Sequence, residues 1–217
     1  MKKNNFLKPI SVERKKRTIE KNKNNQILLK FWNNFIKKNE NKISLELKIA
    51  FELAKNFKYS HGNSNNKEYF FHPLRVATMS FSLFKKERDK LLTLALLHNC
   101  LETTKVNENL LKTLFGDQIF QEIKILTVNR KKQWNKKYKQ EYYKKINKFS
   151  KNTKIIKILD KLDNLFILNN NPSYKIKTKY LNEIKTHVKP MVKKNMPFLS
   201  NYFNNLIKDT YLLMNKS

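Results

Sequence analysis

Residues 91–104 read LLTLALLHNCLETT, and this stretch constrains the fold of the chain more than any other. From Leu91 to Leu97 only Thr93 is polar. A helix that apolar on every side has to be enclosed by other elements. His98, Asn99 and Glu102 close the run, and in a continuous helix His98 and Glu102 share a face because four residues separate them. Leu94, Leu97 and Leu101 then bury the opposite side. An imidazole beside an oxygen donor, with a carboxylate one turn on, is a donor set for a divalent ion and its water. A satisfied histidine in a core gives the same local pattern, so polar groups elsewhere in the chain, His72 and Asp160, have to decide between the two.

At 217 residues the chain is long enough for one well-buried domain. Its single cysteine, Cys100, excludes an internal disulfide and sits inside the apolar run as small core filler. The expected setting is therefore reducing and cytoplasmic. No stretch of 18 uninterrupted apolar residues occurs, and the N-terminus lacks the apolar segment of a secretory signal, so no membrane association is expected. The formal charge of +30 invites a polyanion-binding reading. Only five of the 47 basic residues are arginine, the side chain that makes bidentate phosphate and base contacts. Lys, Asn, Ile, Phe and Tyr are enriched together, as the codons of an AT-rich genome produce. The charge still attracts anionic ligands, whatever its origin.

In chain order, residues 1–28 read as a basic, flexible arm able to make weak nonspecific contacts with nucleic acid, and 29–217 as a helical domain with a C-terminal helical extension. A short amphipathic helix fits Gln26 to Lys38. Ser44 suits an N-cap, followed by the apolar face Leu47, Ala50, Phe51, Ala54 and Phe57. After a polar loop whose turn is assigned to Gly62, Pro73 suits the first turn of another helix and holds His72 at its start. Gly116 separates a helix beginning at Asn107 from one capped by Asp117. Eleven Lys or Arg fall between Arg130 and Lys154, with Trp134, Tyr138 and Tyr142 spaced by four. They fit either a phosphate-facing aromatic stripe or core aromatics under a solvated basic face. Thr153 suits the cap of a strongly apolar helix that contains Asp160, Asp163 and Asn164, polar groups that need partners when buried. Two further helices follow Pro172, one meeting Pro190 and the other starting near Pro197. No strand alternation stands out, so the fold class is all-α, a multi-helix domain.

In this order and spacing, EYFFHPLRVA, ALLHNCLETT, LLKTLFGDQI, EYYKKI and KILDKLDNL resemble the HD-domain (p)ppGpp hydrolases of the RelA/SpoT family, over roughly Leu45 to Leu168. The resemblance implies an all-α HD-domain fold and a Mn²⁺ (or other divalent) ion held by His72, His98, Asn99 and Asp160. It also implies attack by water oriented at Glu102 and Thr103, with Asn164, His61 and Lys67 at the guanine nucleotide. The implied reaction is hydrolysis of the 3′-pyrophosphate ester of ppGpp or pppGpp to GDP or GTP and pyrophosphate, as in the stand-alone small alarmone hydrolases. Two positions depart from the family pattern: Asn99 stands where the family has the Asp of its His-Asp pair, and Thr103 where it has a second acid. A catalytically degenerate member that binds nucleotide or regulates is thus the alternative expectation, and a basic nucleic-acid-binding protein is the third.

Overall fold

The computed structural model describes residues 8–60, 66–84 and 88–215, and among these residues there are helices and connecting turns but no strand. Packing divides the chain into two units, Ile27–Ile156 and Met1–Gln26 with Lys157–Ser217. No helix among the described residues is long and apolar enough to cross a membrane.

Helix α1 spans Ile10–Arg17 and α2 spans Lys21–Lys38. The later turns of α2 begin the unit Ile27–Ile156, where Trp32 is fully buried and stacked on Phe51, and its indole N–H donates to Thr78 Oγ1 at 2.9 Å. That bond removes the cost of burying an indole donor. Helix α3, Leu45–Asn56, starts where the sequence predicts: Ser44 Oγ accepts from the Leu47 N–H, and the Ser44 N–H donates to Asp89 Oδ2 at 2.7 Å. Its expected face, Leu47, Ala50, Phe51 and Ala54, is buried. Helices α4 (Asn66–Tyr69) and α5 (Phe71–Leu83) follow, with Pro73 in the first turn of α5, where a missing N–H costs nothing. Gly62 lies outside the described residues.

The apolar run forms α6, Arg88–Leu97, with every residue from Leu91 to Leu97 buried against α3 and α5. The helix does not continue to Leu101 as expected. His98 Nδ1 lies 2.7 Å from the Ala95 carbonyl oxygen, and Asn99 adopts φ −121° and ψ 7°, outside the helical region, before α7 resumes over Cys100–Thr103. The imidazole occupies the end of the helix where backbone bonding would otherwise proceed. Helix α8, Glu108–Leu126, is capped by Asn107 and kinked at Gly116, whose φ of 72° is left-handed. A Cβ there would meet nothing within 4 Å, so the backbone angle rather than space calls for glycine. Helix α9 spans Lys136–Lys148 and α10 spans Lys151–Ile167. The cap of α10 is Ser150, whose hydroxyl accepts from the Thr153 N–H at 3.0 Å; Thr153, the expected cap, is buried inside the first turn.

The second unit comprises α1, α11 (Tyr174–Glu183), α12 (Lys189–Asn195), α13 (Ser200–Met214) and the greater part of α10. A π turn, Ile184–Val188, joins α11 to α12 immediately before Pro190, which has no N–H to give to a regular helical bond. Residues 1–28, read as a basic arm, include α1 and the start of α2, and two arginines of α1 bond to distant residues. Arg14 donates to the carbonyls of Leu165 (3.2 Å) and Phe166 (2.7 Å) at the end of α10, to Asp209 and to Thr210. Arg17 donates to Asp163 Oδ1 at 2.9 Å and to Glu13, and lies 4.3 Å over the Phe166 ring. Burial opposes the Arg17 charge, but Asp163 and Glu13 more than offset it and raise its pKa. The partner that Asp163 needs inside an apolar helix is thus an arginine.

On α8, Glu122 is 1% exposed, and its Oε1 has no hydrogen-bond partner among the described residues. Burial raises its pKa, against smaller opposing effects of Ser150 and Lys90. A carboxyl raised in the folded state contributes stability that is complete below its unfolded value, about 4.3, and is lost as pH rises through the folded value. Glu122→Gln is therefore expected to raise the urea midpoint at pH 8 more than at pH 4. An equal shift at both values would contradict this origin.

Candidate metal centre

His72 lies on α5, His98 at the α6–α7 break and Asp160 on α10. His72 is buried in the first turn of α5, and its ring lies edge-on to that of His98, with centroids 5.2 Å apart. Because a carbonyl only accepts, the contact of His98 Nδ1 with Ala95 O puts the imidazole proton on Nδ1 and the lone pair on Nε2, the form that ligates a metal. Asn99 is 3% exposed; its Nδ2 donates to Tyr69 Oη at 3.0 Å, and its Oδ1 is buried without a hydrogen-bond partner among the described residues. A buried amide oxygen of this kind is costly unless something donates to it or coordinates it.

Asp160, on the third turn of α10, is 6% exposed. Its Oδ1 accepts from Asn164 Nδ2 at 2.7 Å and its Oδ2 from Lys157 Nζ at 3.0 Å. One turn in each direction along the same helix thus fixes the carboxylate. His72, His98 and Asp160 each offer a ligand atom, and these atoms all lie within 4.8 Å of one another. Two atoms bound to one ion at about 2.1 Å are separated by at most about 4.2 Å, close to the spacing of these three. Two imidazoles, a carboxylate and an unpartnered amide oxygen fit a divalent cation.

The remaining expected residues are placed as follows. Glu102 lies on α7, half-buried, with Oε2 accepting from the Val128 N–H at 2.8 Å and Oε1 from Arg130 Nη2 at 2.9 Å. The α6–α7 break removes the simple helical relation to His98 that its spacing suggests. Thr103 is buried, and its hydroxyl donates to the Asn99 carbonyl at 2.7 Å. Asn164 meets Asp160 rather than standing apart from it. His61 and the side chain of Lys67 lie outside the described residues. Burial pushes the Cys100 thiol up to about 12, which keeps it protonated and fits its reading as core filler. Sequence reasoning missed Lys157 and Tyr69. The spacing of three between Lys157 and Asp160 on one helix was a usable signal, whereas nothing in the chain links Tyr69 to Asn99.

No protein-family model matches the sequence, and no curated protein matches it. Among solved structures, a metazoan ortholog of SpoT that hydrolyses ppGpp and plays a role in starvation responses is similar to this chain, with a TM-score of 0.61 at 21% identity. The match covers 76% of this chain and 96% of that one. It bears out the all-α fold class. The chain shares the helical fold of that solved structure.

Proposed function

We propose that the chain is a divalent-metal-dependent pyrophosphohydrolase acting on guanosine 3′,5′-bis(diphosphate), with Mn²⁺ as the preferred ion. The observation that carries this reading is the convergence of His72, His98 and Asp160 within 4.8 Å, in a fold similar to that of a ppGpp hydrolase. His72, His98 and Asp160 would hold the ion, and Asn99 Oδ1 would complete the set. When bound, the ion supplies Lewis acidity at a phosphoryl oxygen and lowers the pKa of a water. Asn164 and Lys157 keep Asp160 oriented, and the Ala95 carbonyl fixes the His98 tautomer. Each oxygen of Glu102 retains acceptor capacity beyond its bonds to Val128 and Arg130, so the carboxylate can orient water while its position is fixed. Water attacks the phosphorus attached to the ribose 3′ oxygen; that P–O bond breaks, pyrophosphate carries the phosphorus away, and the 3′ oxygen takes a proton.

Asn99 and Thr103 favour a second reading, a site that binds nucleotide and metal without turnover. The Thr103 hydroxyl donates its proton to the backbone and has no negative charge to offer. Polynucleotide binding gains no comparable support: of the three spaced aromatics, Tyr142 is buried and its hydroxyl donates to the Leu126 carbonyl at 2.6 Å, while Trp134 is exposed with the Lys139 ammonium 4.5 Å over its ring. Release of pyrophosphate from ppGpp in the presence of Mn²⁺, stopped by a chelator, is the expected result. Metal and nucleotide binding without release would select the second reading.

A further inference from the structure

Asn99 stands where the family pattern has a carboxylate, and the two groups differ in more than charge. A carboxylate has two equivalent oxygens, and either can face a cation. An amide has one oxygen and one NH₂, and a half-turn about its last torsion exchanges an acceptor for two donors. Such a side chain serves a cation only when a neighbour fixes which end is presented. Tyr69 is placed to do this. It ends α4, three residues before His72, and its ring centroid lies 6.0 Å from that of His72, which is itself 5.2 Å from the ring of His98. Its hydroxyl oxygen accepts from Asn99 Nδ2 at 3.0 Å, so the nitrogen end of the amide is drawn to the phenol. Oδ1 is then the end without a hydrogen-bond partner among the described residues, on a side chain that is 3% exposed. The Glu102 N–H and the Thr103 hydroxyl both donate to the Asn99 main-chain carbonyl, at 3.2 and 2.7 Å. Those bonds hold the backbone and leave the amide torsion to Tyr69.

We propose that Tyr69 is a positioning residue: it holds the amide of Asn99 with the oxygen, not the NH₂, available to a cation, and so lets a neutral side chain stand in for the expected carboxylate. This rests on the metal-dependent reading above and adds to it a residue outside the ligand set. The direction of the hydrogen bond carries the argument. An amide N–H donates to the phenol oxygen, whereas a carboxylate has no proton to give and accepts the phenol proton instead. Turning a carboxylate over also changes nothing, so the need for Tyr69 belongs to the amide.

Four forms of the full chain test this: the wild type, Tyr69→Phe, Asn99→Asp and the two changes together, each stripped of metal. Mn²⁺ affinity is read from the electron paramagnetic resonance signal of the free aquo ion during titration, so turnover does not enter. Phenylalanine keeps the ring and removes only the hydroxyl; Tyr69→Leu serves if the phenylalanine variant does not fold as judged by circular dichroism. Tyr69→Phe is expected to weaken Mn²⁺ binding about tenfold in the wild-type background, the size of effect found for groups that orient a metal ligand. In the Asn99→Asp background the same change is expected to alter the affinity by less than about threefold, because either carboxylate oxygen serves. A purely structural role would lower the affinity equally in both. Equal losses in the two backgrounds, or no loss in the wild type, would overturn the role of Tyr69, as would Mn²⁺ binding confined to the Asn99→Asp proteins. Absence of Mn²⁺ binding in all four would instead overturn the metal-dependent reading itself.

Discussion

Arg17→Met is expected to lower the stability of the folded chain by roughly 3–5 kcal/mol, because it removes one member of a buried ion pair. Asp163 is fully buried, and its Oδ1 accepts from the Arg17 guanidinium at 2.9 Å. The stem of Arg17 and its place over the Phe166 ring add packing that methionine partly retains. Exchanging both partners, Arg17→Met with Asp163→Leu, should recover most of the loss, since the pair's desolvation cost disappears with its attraction. Urea unfolding of the three proteins measures this. A loss below about 1 kcal/mol in the single variant would show that the pair behaves as a solvated surface bridge.

The second large effect is expected at Asp160. Asp160→Asn removes the only carboxylate among the proposed donors and should reduce both Mn²⁺ affinity and pyrophosphate release by at least about a hundredfold. The same change also removes the carboxylate that the buried Lys157 ammonium meets at 3.0 Å, so a loss of activity by itself is ambiguous. Asp160→Asn combined with Lys157→Gln removes that ambiguity: it takes away both charges of the pair and should remain without Mn²⁺ binding. Retention of wild-type Mn²⁺ affinity in the double variant would exclude Asp160 as a ligand.

Much of the helical order is legible in the sequence because it rests on local signals. Ser44, Asn107 and Gly116 act where their chemistry is read, and the apolar run of α6 is buried on all sides as its composition requires. His72, His98 and Asp160 could be gathered from ordered motifs, although their separation along the chain hides any contact. The break after α6 was not legible, because it depends on a side chain occupying the Ala95 carbonyl rather than on a helix-breaking residue. The anchoring of Arg14 and Arg17 was hidden for another reason. Their acidic partners, Asp209 and Asp163, lie 195 and 146 residues away, and a basic segment without those partners has the composition of a solvated tail. Ser150 and Thr153 are both competent caps by type, and only the backbone path decides between them.

The central claim is that two imidazoles and one carboxylate share an ion. Pulsed electron paramagnetic resonance of Mn²⁺ bound to the full chain, with methylenediphosphonate present, tests it most directly. The account predicts hyperfine coupling to two imidazole nitrogens, reduced to one in His72→Ala and in His98→Ala. Coupling to phosphorus without any coupling to imidazole nitrogen would place the ion on the diphosphonate alone and contradict a metal centre at these residues.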